Sequence, residues 1–305
     1  MLPELEPLTG RVTHDVYHVY TADIHAVRAV DRLRELTAGE RVPLLALPGR
    51  LAVEAPRRTP LFLATFLHIL GRVHGAHRPS RGAAMARPIA ERLGLSTVDV
   101  AHVVWLVEEQ SRFHHWATRR DTSDPVTLRE LAGRVGSFER MRDLYLLTVA
   151  VLSTTNPGAM TSWKARMLED LYLGLAGELG PHASPTLASV TGRASQLREE
   201  VRVGFVGDLG QSVLEAFLDA MPDRYLLANP ADAIRRHARV VRDAGDRALA
   251  IETGPGPSSE MTELVLRLDD RPGLLADVSA AFAANRIAVV DAQSYHSDDP
   301  SLIHT

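Results

Sequence analysis

The chain has 305 residues, of which 45% are hydrophobic and 24% charged, enough for a sizeable core and ordinary for a globular protein. A formal net charge of −4 gives no electrostatic reason to expect nucleic acid or an anionic membrane as partner. The absence of cysteine excludes disulfides, thiolate nucleophiles and Cys-ligated zinc.

The first residues, MLPELEPLTG, are acidic and lack the apolar stretch of a signal peptide. The longest apolar runs, such as 144-LYLLTVAVL-152, are too short to span a bilayer, so a cytoplasmic protein is expected. Residues 15–40 read as helix, with Ile24, Val27, Val30, Leu33 and Leu36 at roughly helical spacing. The stretch 41–60, interrupted by prolines and a glycine, is expected to be loop. Then 61-LFLATFLHIL-70 is apolar on nearly every side, the pattern of a buried helix. A Gly-, Pro- and Arg-rich loop is expected over 71–82, followed by a helix that ends at 94–96. Ser96 and Asp99 form a capping box that opens the next helix, which carries Val100, Val103, Val104, Leu106 and Val107.

Further helices are expected over 125–135, 137–153, 161–179, 184–220 and 230–247, with no strand before residue 250. Among the 34 basic side chains Lys164 is the only lysine, a compact ammonium in a background of arginine forks. The composition of 252-ETGPGPSSE-260 is that of a linker. Beyond it, 262–270 reads as a strand, DRPG as a turn, 273–286 as a helix and 287–295 as a second strand. A turn at 297–300 leads to what reads as a third strand at the end.

Three stretches, 13-THDVYHVYTADIHAVRAVDRL-33, 103-VVWLVEEQSRFHHWATRRDTSDP-125 and 146-LLTVAVLSTTNPGAMTSWKARMLEDLY-172, carry a family resemblance. The chain resembles the bifunctional uridylyltransferase/uridylyl-removing enzyme of the nitrogen-regulatory PII protein, from about residue 11 to the end. YHVYT, WLVE, RRD and SWK are the specific words. The resemblance implies a mainly α fold, an HD-type helical bundle with a helical extension over 11–250, then a linker over 251–260. A partial α+β module of the ACT type, a truncated βαβ over 261–305 that senses an amino acid such as glutamine, would follow. The nucleotidyltransferase domain of that family has no counterpart in these residues, so uridylyl transfer is not expected of them.

In the family, the HD site holds divalent metal between imidazoles and carboxylates, which generates hydroxide and neutralises a phosphodiester. His25 and His68 match two of its histidines. Ile69 stands at the aspartate of the His-Asp pair, Arg78 and Gln110 stand at histidines, and Val151 stands at the later aspartate. Aliphatic side chains remove the negative charge that offsets a dication's desolvation, and a guanidinium repels a metal and offers it no lone pair. His25 and His68 therefore read as vestigial, with no catalytic residue, metal or cofactor expected. The expected protein is a catalytically inactive regulatory relative. An active uridylyl-removing phosphodiesterase and a non-functional gene fragment are the alternatives.

Arg72, Arg78, Arg119, Arg120 and Lys164 are candidates to line a former phosphate cleft, since arginine binds phosphate bidentately. The other reading makes these arginines surface ion pairs with Asp121, Asp124 and Glu108. His74, His77 and one of His114 and His115 are expected in solvent. In the ACT-like piece, Gly273 at the helix start is the candidate for a ligand carboxylate and Asp270 for an α-amino group. So short a sheet is expected to leave an open edge, to be covered by a partner, by the helical domain or by a second copy in a homodimer, or left disordered. The expected partners are a PII-type regulatory protein and an amino acid such as glutamine, with no nucleic acid and no membrane.

Overall fold

The structure, a computed structural model, describes residues 2–12, 19–71, 78–120, 122, 124–180, 185–203, 211–245, 247–255, 262–269, 271–289, 292, 294–296 and 301–304. It is mainly helical, with a small antiparallel sheet near the C-terminus. The chain divides into two compact units, Met1–Ala188 and Ser189–Thr305. Among the described residues no helix is long and apolar enough to cross a membrane.

The first unit opens with a 3-10 turn, Pro3–Leu8, then α1 (Ala22–Thr37), α2 (Ala46–Val53), α3 (Arg58–Leu67) and α4 (Arg78–Arg92). It continues with α5 (Thr97–Glu109), α6 (Arg112–Arg119), α7 (Pro125–Val135), α8 (Phe138–Ser153) and α9 (Ser162–Leu179). The starts follow from local chemistry. Ser96 Oγ accepts from the Asp99 N–H at 3.1 Å, the N-cap half of the expected capping box, and donates to the Asp99 carboxylate at 2.8 Å. Asp124 accepts from the N–H groups of Val126 and Thr127, both at 3.0 Å, with Pro125 at the first helical position. Gly136, at φ +80°, ends α7 in a conformation that glycine adopts without strain.

Three helical stretches differ from expectation. α2 lies inside 41–60, with Pro48 in its first turn, where a backbone N–H has no helical partner to lose. α4 begins at Arg78, within the loop expected over 71–82, with Pro79 likewise in its first turn. α6 is a separate short helix. On α1 the buried stripe is Ala22, His25, Ala26, Ala29, Leu33 and Leu36, and Ile24 and Val27 are exposed.

α8 is the axis of this unit. Every residue from Met141 to Ala150 is buried, and α1, α2, α3, α5, α6, α7 and α9 all pack on it. Tyr145 stacks on Tyr172 of α9 with ring centroids 4.6 Å apart. α4 passes the chain closely at Leu70, and a Cβ on Gly82 would sit 2.6 Å from the Leu70 carbonyl oxygen.

α10 (Pro185–Val203) crosses the division between the units. The second unit then holds α11 (Gln211–Ala220), α12 (Asp223–Ala228), α13 (Ala231–Ala244), β1 (Leu249–Pro255), β2 (Thr262–Asp269), α14 (Leu274–Ala284), β3 (Ser294–His296) and β4 (Ser301–His304). The sheet order is β1-β2-β4-β3 and each neighbouring pair is antiparallel. β2 and β3 therefore run in the same direction with β4 between them. Alternation along β2 sends Val265 into a core with Leu218, Tyr225 and Ile234, and sends Leu264, Leu266 and Leu268 against Leu274, Val278 and Phe282 of α14.

β1 overturns one expectation and alters another. Its residues fall partly in the segment expected to be linker, where Ile251 and Thr253 instead pair with Leu266 and Leu264 of β2. Where the sheet was expected to leave an open edge, one side of β2 is filled by the same chain, Leu249 opposite Leu268 through Pro255 opposite Thr262. The second strand is also shorter than expected, since 287–289 are not strand and β3 holds only Ser294–His296.

Candidate functional site

α1 and the end of α3 bring the two matched histidines together. His25 is fully buried and His68, the residue that ends α3, is 2% exposed. Their rings meet edge to face, centroids 5.0 Å apart and planes at 90°. His25 Nε2 lies 3.1 Å from the carbonyl oxygen of Val151, and His68 Nδ1 lies 2.6 Å from that of Thr65. A carbonyl only accepts, so each of these nitrogens carries the proton and donates it. Nε2 of His25 therefore has no lone pair to offer a metal.

The other expected positions complete the picture. Ile69 is buried among the apolar side chains. Val151 is half-buried, and its carbonyl also accepts from Thr155 Oγ1 at 3.1 Å. The Gln110 amide donates back to the Val107 carbonyl of its own helix at 3.0 Å. Among the described residues no three His, Asp or Glu side chains stand close enough to share an ion. With two imidazoles, one nitrogen of each already committed, and no carboxylate beside them among the described residues, the donor set does not fit a divalent cation. Arg72, His74, His77, Asp121, Asp270 and the side chain of Arg78 lie outside the described residues.

The candidate phosphate ligands have local partners. Lys164 Nζ donates to the Ala159 carbonyl at 2.9 Å. Arg120, exposed, pairs with Glu130 at 3.1 Å, and Asp124 is occupied in capping α7. Arg119 is exposed at the end of α6. On the same helix His115 is exposed and His114 half-buried, its pKa lowered by burial, then by the nearby Lys164 and His115. Gly273 precedes α14 at φ +84°, exposed, with nothing within 4 Å of where a Cβ would stand.

A buried polar cluster was not anticipated. His102 of α5 is 6% exposed and its Nε2 donates to Asp143 Oδ2 of α8 at 2.8 Å. Asp143 is fully buried, and Arg142 holds its other oxygen with Nε and Nη2 at 2.9 and 2.8 Å. Nearby, Arg57 spans Glu139 of α8, at 2.9 and 2.7 Å, and Asp99 of α5, at 3.0 Å. Burial of His102 on the apolar stripe of α5 was the available signal. Its partner, 41 residues away, was not readable.

No family model matches the chain, and no solved structure matches it. A bifunctional uridylyltransferase/uridylyl-removing enzyme of Gluconobacter oxydans is 33% identical over 100% of this chain, which covers 32% of that protein. Enzymes of the same name from Rhodospirillum rubrum and Burkholderia mallei are 29% and 30% identical over 96% and 94% of the chain, which covers 31% and 33% of them. The chain spans about a third of the length of these relatives. From end to end, then, it is similar to part of the bifunctional uridylyltransferase/uridylyl-removing enzymes, as its motifs led one to expect.

Proposed function

We propose that this chain is a relative of the uridylyl-removing enzyme whose phosphohydrolase site has been dismantled, and that it serves as a binding or regulatory protein in nitrogen sensing. The observation that carries the reading is the His25–His68 pair, with one imidazole nitrogen given to the Val151 carbonyl and Ile69 in the place of a carboxylate. Without that negative charge nothing offsets the desolvation of a dication, and water is not sharpened into a nucleophile. In this reading residues 11–250 form an HD-like helical domain with a helical extension. Residues 261–305 form a partial ACT-like module, in which the parallel β2 and β3 flank β4 and the strand β1 completes the sheet. Lys164 and Arg119 are the described candidates for residual phosphate recognition, and Gly273 for an amino acid.

The partner proposed is a PII-type protein. A pull-down of uridylylated and unmodified PII, with and without glutamine, tests this. Retention in at least one state, with no release of the uridylyl group in Mn²⁺, is expected. Failure in every condition removes the nitrogen-sensing role, and release that His68→Ala abolishes overturns the loss of catalysis.

A further inference from the structure

The cluster at the starts of α5 and α8 opens on a cleft of about 370 Å³, lined by Arg57, Thr97, His102, Ser137, Glu139 and Arg140 among others. That volume is in the range of small-molecule sites, roughly 300–1,000 Å³. The charges around it balance in number but are not all paired. Glu139 and Asp99 are both bound by Arg57, so these three leave a single negative charge shared in one hydrogen-bonded network. Arg140 makes no ion pair among the described residues and lies over the Trp105 ring, its guanidinium carbon 5.1 Å from the centroid. A flat guanidinium resting on an aromatic face is oriented without its donors being consumed.

His102 supplies the second half of the site. Its Nε2 is committed to Asp143, so Nδ1 is the nitrogen left for the cleft that the ring lines. The ring cannot swing away, because Asp143 is itself clamped by Arg142. A side chain more than nine-tenths buried is thus held at the cleft with one nitrogen outside the Asp143 pair. With Nε2 as donor, Nδ1 accepts, and it pairs with a ligand group that carries a proton.

We propose that this cleft binds a small oxyanion that also carries a hydroxyl, its charged oxygens on the Arg140 fork and its proton toward His102 Nδ1. A protonated phosphate group and a hydroxycarboxylate share that chemistry. The proposal stands apart from the fate of the His25–His68 pair and from any PII partner.

Isothermal titration of the full chain with inorganic phosphate and, separately, with lactate tests it. Saturable binding of either probe is expected, and the tighter one names the source. Arg140→Leu should weaken that binding about tenfold or more, the loss of a charge-assisted pair. Arg87→Leu, an exposed change outside the cleft, should leave it as it was. His102→Leu, which keeps the Arg142–Asp143 pair, should weaken it as well, with folding checked by a thermal melt. Should that variant not fold, a shift of the His102 ring protons on phosphate addition to the unaltered chain replaces it. Absence of saturable binding by both probes, or binding that survives Arg140→Leu unchanged, overturns the proposal.

Discussion

Two buried histidine sites lie in the first unit and differ in what stands beside the imidazole. His25 and His68 each bond a backbone carbonyl, and Ile and Val stand at positions 69 and 151. At His102 the partner is a carboxylate, itself fixed by a buried arginine. Both arrangements give each ring at least one hydrogen bond, but among the described residues only the second brings negative charge into the interior. The difference teaches that burying imidazoles does not make a metal site, because a dication needs the carboxylates more than the rings.

The largest expected effect comes from Asp143. Asp143→Leu strands Arg142 in the core and removes the anchor of His102, for an expected loss of about 4 kcal/mol in urea unfolding. A loss under about 1 kcal/mol, the scale of an exposed pair, would erase the distinction between the two sites. Ile69→Asp attacks the comparison from the other side by returning a carboxylate to the first site. An acid in that apolar setting should cost about 3 kcal/mol, and Mn²⁺ should recover none of it in a thermal-shift assay. Recovery by Mn²⁺ would mean that the remaining ligands suffice.

A third buried imidazole, His237 of α13, gives a pH test in the second unit. Its Nδ1 accepts from the Tyr225 hydroxyl at 2.8 Å. Burial, and then the neighbouring Arg236, lowers its pKa to about 4. Glu263, at 3.8 Å, does little to oppose this because it is already paired with Arg236. The folded chain thus favours the neutral ring, while an unfolded histidine titrates near 6.5. The stability is complete above about pH 6.5 and falls as pH drops toward 4, by about 3 kcal/mol in all. His237→Leu should flatten that slope, and an unchanged slope would assign it to other groups. The smallest effect expected is that of Gly82→Ala. A Cβ 2.6 Å from the Leu70 carbonyl must push α4 away from the turn that carries His68 and Ile69, at a cost of about 2 kcal/mol.

Local signals were legible and distant ones were not. The Ser96–Asp99 box and the Asp124-Pro125 start act within one turn, so α5 and α7 could be read directly from the sequence. α2 and the start of α4 were obscured because proline marks both a loop and a helix's first turn. β1 was obscured by the Gly and Pro residues that follow Thr253, although its pairing with β2 is continuous. On α8, Arg142 and Asp143 resemble surface charges until the helix is seen to be wrapped on every side. Of the candidate site, the convergence of His25 with His68 and Val151 was implied by the family motifs. The Val151 carbonyl that occupies His25 Nε2 is a backbone atom, and no sequence pattern announces it.

The most direct measurement is metal content. Equilibrium dialysis of the purified chain against Mn²⁺, Fe²⁺ and Zn²⁺, followed by elemental analysis, should show no stoichiometric ion. The parallel assay, bis-p-nitrophenyl phosphate with Mn²⁺, should show no turnover. One ion per chain, lost on both His25→Ala and His68→Ala and accompanied by hydrolysis, would contradict the reading of a dismantled site.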